Sequence, residues 1–316
     1  MALIIIAFIG CLIFFFVLNF VVSQIIWFKK NKRIAEIKKA ITTSNSGQYK
    51  FMNVGSTQAI YAFNYSDSGV NGINLALSPQ LFDNDKDMLT HHAHLLNQNS
   101  IIFLPICPLS MLCDRFTIPS NRYKYYHLLS KENFSFYNKR EYIQEILFPL
   151  FFKPVNSIKD FLKYILGRLN YPENLLQSSA QMELDAQQWV DGWNKEFFVN
   201  IEENIAKSEL AERISHTKHQ LEKLIIKASQ FGKPVVVLMP ISRYLAGKLH
   251  PGFMKQYLYT PLHEILSDKV MLLDYMDDSQ FLDVRLFANS FFLNKEGSTL
   301  FTERIINDLK RLKYEI

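Results

Sequence analysis

From Ala2 to Phe28 the chain reads ALIIIAFIGCLIFFFVLNFVVSQIIWF without one charged side chain, and only Asn19, Ser23 and Gln24 break the apolar run. At roughly 1.5 Å per helical residue, about 20 such residues cross a hydrocarbon core, so residues 1–28 are predicted to form a transmembrane anchor. Trp27 and Phe28 suit the aromatic belt at its end. A secretory signal peptide is the rival reading. It requires a basic leading segment, a shorter apolar stretch and a small-residue cleavage site, and this run has none of them. The basic stretch KKNKR at 29–33, with no Lys or Arg before the span, predicts by the positive-inside rule that the bulk of the chain faces the cytoplasm.

Beyond the anchor the pattern becomes amphipathic. RIAEIKKAI predicts a short basic juxtamembrane helix and TTSNSGQYK a linker, together residues 29–48, so the globular domain begins near Tyr49 and runs to 316. Five apolar runs then read as buried strands: KFMNVG at 50–55, GINLAL at 72–77, SIIFLPI at 100–106, KPVVVLMP at 233–240 and KVMLLDY at 269–275. Near-continuous apolar strands are what a parallel sheet covered on both faces requires. Helical stretches are predicted at 81–98, 210–230 and 298–312. Alternating strands and helices predict an α/β fold, a three-layer sandwich around a mostly parallel five-stranded sheet, with its ligand crevice at the carboxyl ends of the strands. The third and fourth strands are separated by an insertion at about 107–230 that is rich in aromatics, among them Tyr123, Tyr125, Tyr126, Phe134, Phe136, Tyr137, Phe148, Phe151 and Phe152. A helical cap with its own small core and a stacking or acyl-chain surface are the two readings of that composition.

Composition adds few constraints. A chain of 316 residues with 48% hydrophobic content is globular in type, and the net charge of +5 owes much to the basic cluster beside the membrane, where it would meet lipid head groups. No nucleic-acid partner is implied. The spacing of Cys107 and Cys113 in CPLSMLC matches neither a zinc site nor a CxxC redox pair. Free thiols are the expectation, and a disulfide would place them outside the cytoplasm.

Chemistry gathers at two places. NVGSTQAIYAF follows the first strand, and a Gly-Ser-Thr at such a strand-to-helix turn presents hydroxyls to the crevice at a helix N-terminus. The alternative is that Ser56 or Thr57 simply caps the helix. The second place is NSFFLNKEGSTLFTERI at 289–305, another loop leading into a helix.

Together these stretches resemble the SGNH (GDSL-type) hydrolases, in particular membrane-anchored members found among bacterial surface-polysaccharide genes. Leu293, Asn294, Gly297, Phe301 and Thr302 match their closing Leu-Asn-x-x-Gly and Phe-Thr pattern; NLALSPQLFDNDKDML resembles their second block and IIFLPICPLS their third. The resemblance covers about residues 50–110 and 233–310, and it implies SGNH or flavodoxin-like layering, no cofactor, no metal and a home in the bacterial inner membrane. It also assigns Ser56, Thr57, Asn289 and Phe292 to the triad region, and Gly55, Asn74, Gln80 and Asn294 to ligand binding.

The departures fall on the reactive positions. Thr57 stands where the family has its nucleophilic serine, and in NSFF, which replaces Asp-x-x-His, Asn289 stands at the acid and Phe292 at the histidine. Pro79 stands at the second-block glycine, without an N–H to donate, and the third block has no Gly-x-Asn. A hydroxyl nucleophile needs an adjacent base, and phenylalanine cannot accept a proton. His91, His92 and His94, like His216 and His219, suit a solvated helix face better than a metal site. His250, His263 and Asp274 follow the last strands on the crevice side and are the spare base and acid. Two expectations follow. One is a catalytically degenerate SGNH-like protein that binds a glycan, a lipid-linked saccharide or an assembly partner in envelope polysaccharide biosynthesis. The other is an active esterase or O-acyltransferase using Thr57 or Ser56 with a non-standard base.

Overall fold

The computed structural model describes residues 1–30, 32–113, 122–152, 178–206, 210–266, 270–312 and 314. The chain divides into two compact units, Met1–Thr42 with Thr117–Pro172, and Thr43–Phe116 with Glu173–Ile316. The insertion expected at 107–230 is therefore shared between the units, and its residues 114–121, 153–177 and 207–209 lie outside the described ones.

The first unit begins with helix α1 (Ala2–Lys30), followed by α2 (Lys32–Thr43). Within α1, Ala2–Val21 is long and apolar enough to cross a membrane, a property that a signal sequence shares. The side chains of Trp27 and Phe28, expected in the aromatic belt, lie outside the described ones. Helix α2 buries Ile34 and Ile37. The described part of 122–152 folds into short helical turns whose aromatics pack on one another: the Tyr126 ring meets Phe134 at 5.2 Å and Tyr137 and Tyr142 at 5.7 Å. These rings form a small core of their own.

The second unit is an α/β domain. It runs through β1 (Tyr49–Asn53), α3 (Thr57–Ala62), β2 (Gly72–Asn74), α4 (Phe82–His92), β3 (Leu96–Ile106), α5 (Ser179–Phe197), α6 (Leu210–Ser229), β4 (Lys233–Leu238), β5 (Met271–Asp274) and α7 (Lys295–Arg311). The five strands form one sheet in the order β2-β1-β3-β4-β5, and every pairing is parallel. Phe51, Ile101, Phe103, Val235 and Val237 face a core shared with Ala59 and Ala62 of α3 and Phe301, Ile305 and Leu309 of α7. The alternate residues Met52, Ile102, Leu104, Val236 and Leu238 are equally buried, and α6 packs on both β4 and α4. Both faces of the central strands are thus covered, which is why their sequence is apolar at successive positions rather than at every second one.

Helix α7 closes the domain, and two residues fix where it starts. The Asn294 side chain accepts the Gly297 N–H at 2.9 Å, while its own amide donates to the Arg285 carbonyl at 2.6 Å. Gly297 lies so close to the preceding turn that a Cβ there would stand 2.1 Å from the Leu286 carbonyl oxygen. The helix then buries Phe301, Ile305, Ile306 and Leu309, each contributing roughly 1.5–3 kcal/mol by transfer from water. Its far end is held by Asp308, which accepts the Tyr275 hydroxyl at 3.0 Å and the Arg304 Nε–H at 2.8 Å.

Two substitutions separate cap from contact. Asn294→Ala removes a side-chain cap and is expected to destabilise the domain by about 1 kcal/mol. Gly297→Ala forces the turn apart and costs more, on the order of 1–3 kcal/mol as in overpacked sites. Urea unfolding followed by tryptophan fluorescence checks the ranking; an unperturbed Gly297→Ala midpoint would contradict the close approach.

Candidate ligand cavity

The strand order reverses between β1 and β3, and in an open parallel sheet such a reversal leaves a crevice beyond the carboxyl ends of the two strands. A cavity of about 280 Å³ lies at that place, lined from β1 and α3 by Gly55, Ser56, Thr57 and Gln58, from the β2–α4 loop by Ser78 and Gln80, and from the end of β3 by Pro105, Cys107 and Ser110. Trp189 of α5, with Phe291 and Phe292, adds an aromatic wall. This volume is near the lower end of ligand pockets, about 300–1,000 Å³, and suits one ring-sized group.

The turn from β1 into α3 is held by its backbone. Gly55 has φ +116°, and a Cβ there would lie 2.9 Å from the Ala59 Cβ, so only glycine fits without strain. The Gly55 N–H donates to the buried Asp85 carboxylate at 2.6 Å, and the Gln80 side-chain amide donates to the same oxygen at 2.5 Å. Ser56 occupies the N-cap position of α3, but its side chain makes no capping hydrogen bond. Instead its Oγ accepts the Gln80 N–H at 3.2 Å. Thr57 Oγ1 bonds to Ser78 Oγ. On the β3 side, Ser110 Oγ accepts the Cys107 N–H at 2.9 Å and donates to the Cys107 sulfur at 3.1 Å. Gln58 is buried, with its amide nitrogen donating to the Pro240 carbonyl at 3.2 Å and its Oε1 without a partner among the described residues.

The aromatic wall depends on a loop pinned from both sides. Asn289 Oδ1 accepts the N–H groups of Phe291 and Phe292 at 2.9 and 2.7 Å, an Asx turn that aims the two rings. Asp185 of α5 accepts both the Ser290 N–H, at 2.9 Å, and the Ser290 hydroxyl. Phe292 then stacks on Tyr61 at 5.1 Å, meets Trp189 edge-on at 5.6 Å and lies 5.0 Å from Phe291. Trp193 supports Phe291 from behind at 5.3 Å.

Of the sequence-assigned residues, Gly55, Ser56, Thr57, Gln80 and Phe292 come together around the cavity. Three others have structural engagements. Asn74 donates to the carbonyls of Ala59 and Phe63 and accepts from Asn53, tying β2 to β1 and α3. Asn294 caps α7, and Asn289 shapes the turn beneath the aromatics. The spare base and acid stand elsewhere: His250 Nδ1 accepts the Gly252 N–H at 3.0 Å, Asp274 Oδ1 accepts the Met276 N–H at 3.0 Å, and neither they nor His263 line the cavity. Sequence reading missed Trp189, Cys107, Asp85 and Gln58. Asp85 lies inside the quoted NLALSPQLFDNDKDML block, but nothing local marks Trp189, which meets Phe292 from more than a hundred residues away.

Chemically, the described residues of the lining supply hydroxyls, amides, one thiol and one carboxylate, and among them there is no histidine, lysine or arginine. The backbone N–H groups of Gly55 and Cys107, both lining residues, are already engaged by Asp85 and Ser110. Among the described residues, no group of three or more His, Cys, Asp or Glu is placed to hold a metal ion. Cys11, Cys107 and Cys113 are all free thiols. Compared with protein-family models and with curated proteins, the chain matches none.

Burial pushes the Cys107 thiol above its ordinary value, against a smaller opposing effect of the Ser110 hydrogen bond. Its thiolate is therefore scarce at neutral pH. Alkylation of Cys107 by iodoacetamide, read by peptide mass spectrometry, is expected to keep accelerating past pH 9.0, the ordinary thiol value. A plateau below that pH would contradict the burial effect.

Proposed function

We propose that this chain is a membrane-anchored, SGNH-like binding protein whose cavity holds an uncharged, ring-sized group of a saccharide, without hydrolysing an ester. The observation that carries the reading is Phe292: the position that resemblance gives to the catalytic histidine is filled by a ring packed between Tyr61 and Trp189. A hydroxyl nucleophile without a base loses about 10²- to 10⁴-fold in rate, and the nearest hydroxyls are bonded to each other or to the backbone. The parallel order β2-β1-β3-β4-β5, with both faces covered, supports flavodoxin-like three-layer packing, which SGNH domains share.

The ligand class follows from the lining. Aromatic faces with hydroxyl and amide groups beside them suit a sugar ring, whose C–H face stacks while its hydroxyls exchange hydrogen bonds. The described lining residues include Asp85 and, among them, no lysine or arginine, which favours an uncharged group over an anionic one. Resemblance supplies the setting: envelope polysaccharide biosynthesis or modification at the bacterial inner membrane, beside assembly proteins, with the globular bulk cytoplasmic by the positive-inside rule. The active esterase or acyltransferase reading retains Ser56 and Thr57 at the cavity, but among the described lining residues there is no histidine, and the one carboxylate, Asp85, is engaged by the Gly55 N–H and the Gln80 amide.

Isothermal titration of the full chain in detergent with methyl glycosides of neutral hexoses and N-acetylhexosamines tests the reading. Saturable binding is expected, weakened about threefold to tenfold in Phe292→Ala, as fits the loss of an aromatic contact worth ~0.5–1.5 kcal/mol. Binding to none of them, or binding unaffected by Phe292→Ala, would overturn it.

A further inference from the structure

Among the described side chains of helix α1, Asn19 is the one buried polar group on a largely exposed apolar surface. Asn19 is 3% exposed, whereas Phe16, Val17 and Phe20 around it are open. What covers it is the segment 143–152 of the same unit. Asn19 Nδ2 donates to the Leu147 carbonyl at 2.6 Å, and Asn19 Oδ1 accepts the Leu150 N–H at 3.1 Å. Phe151 packs edge-on against Phe15 at 6.1 Å, and Phe148 against Phe16 at 6.0 Å.

The chemistry of this contact is specific. Pro149 has no N–H to continue a helical ladder, so the segment breaks into two turns, Ile143–Leu147 and Pro149–Phe152. At the break the Leu147 carbonyl and the Leu150 N–H have no helical partner, as happens at any helix end. In water such groups would be solvated; in hydrocarbon they must be satisfied by protein. One amide side chain, donor and acceptor together, satisfies both.

Residues 15–19 lie inside Ala2–Val21, the stretch long enough to span a bilayer. A segment packed against them shares their depth. Its outward side chains agree: Leu147, Phe151 and Phe152 are 44%, 67% and 47% exposed, continuous with the apolar surface of α1. We propose that residues 147–152 form a second membrane-embedded element, a broken re-entrant turn latched to α1 through Asn19 with its apolar side against lipid acyl chains. This rests on α1 being a retained span. The insertion then serves partly as a membrane footing, and the protein holds the bilayer at two places in its sequence.

The test uses the full chain, with Cys11, Cys107 and Cys113 replaced by alanine, in vesicles of phosphatidylethanolamine and phosphatidylglycerol. A nitroxide is attached in turn to Phe151→Cys, to Phe14→Cys on the exposed face of α1, and to Leu312→Cys in the other unit. Collision with oxygen and with an aqueous nickel chelate reports the surroundings of each label. The label at 151 is expected to match that at 14, with loss of chelate collision relative to 312. Chelate access at 151 equal to that at 312, with 14 protected, overturns the embedded turn and leaves the span standing; access at 14 as well overturns both. Asn19→Leu is expected to raise chelate access at 151 and not at 14, and no change at 151 would refute the latch.

Discussion

A buried carboxylate that serves two loops sets the form of the cavity. Asp85 takes the Gly55 N–H from the turn after β1 and the Gln80 amide from the loop before α4. A carboxylate removed from water is tolerated only where hydrogen bonds replace its hydration, and here those bonds fix the two loops that meet at the strand-order reversal. The left-handed Gly55, the hydroxyl of Ser56 on Gln80 and the start of α3 all follow from that junction. Without Asp85 the Gly55 N–H would be orphaned and the hydroxyl side of the cavity would lose its anchor.

The opposite wall is built differently. It consists of aromatic rings from two distant parts of the chain, Trp189 from α5 and Phe291 and Phe292 from the loop before α7, with Tyr61 of α3 stacked on Phe292. Asp185 and Asn289 set that loop through backbone N–H groups, so the polar residues work beneath the surface while the rings face the cavity. Hydrolase chemistry would need the reverse, a titratable ring presented to a hydroxyl and held by an acid.

Much of the frame can be read from local pattern. The strand runs, α6 and α7 follow from apolar periodicity, and the LNKEG start of α7 announces an asparagine cap and a glycine contact. Strand β3 begins at Leu96, earlier than its apolar run, because Tyr49 pairs with Leu96 across a register shift around the left-handed Asn99; polar NQNS carries no strand signal. Helix α5 was unmarked for a related reason. Its buried residues Met182, Ala186, Val190, Trp193 and Phe197 are spaced by three and four among polar neighbours, inside a long insertion that invited a single reading as a cap. Resemblance assigns Asn74 and Asn294 to ligand binding, and in the structure their amides donate to backbone carbonyls. Trp189 could be placed at the site only through tertiary contact.

Ester turnover tests the proposal of a non-hydrolytic site most directly. The purified full chain in detergent, assayed with an activated acetyl ester beside the Ser56→Ala/Thr57→Ala double variant, is predicted to show the same background hydrolysis in both proteins. Turnover present in the wild type and lost in the double variant would contradict the account and show that a proton acceptor reaches these hydroxyls.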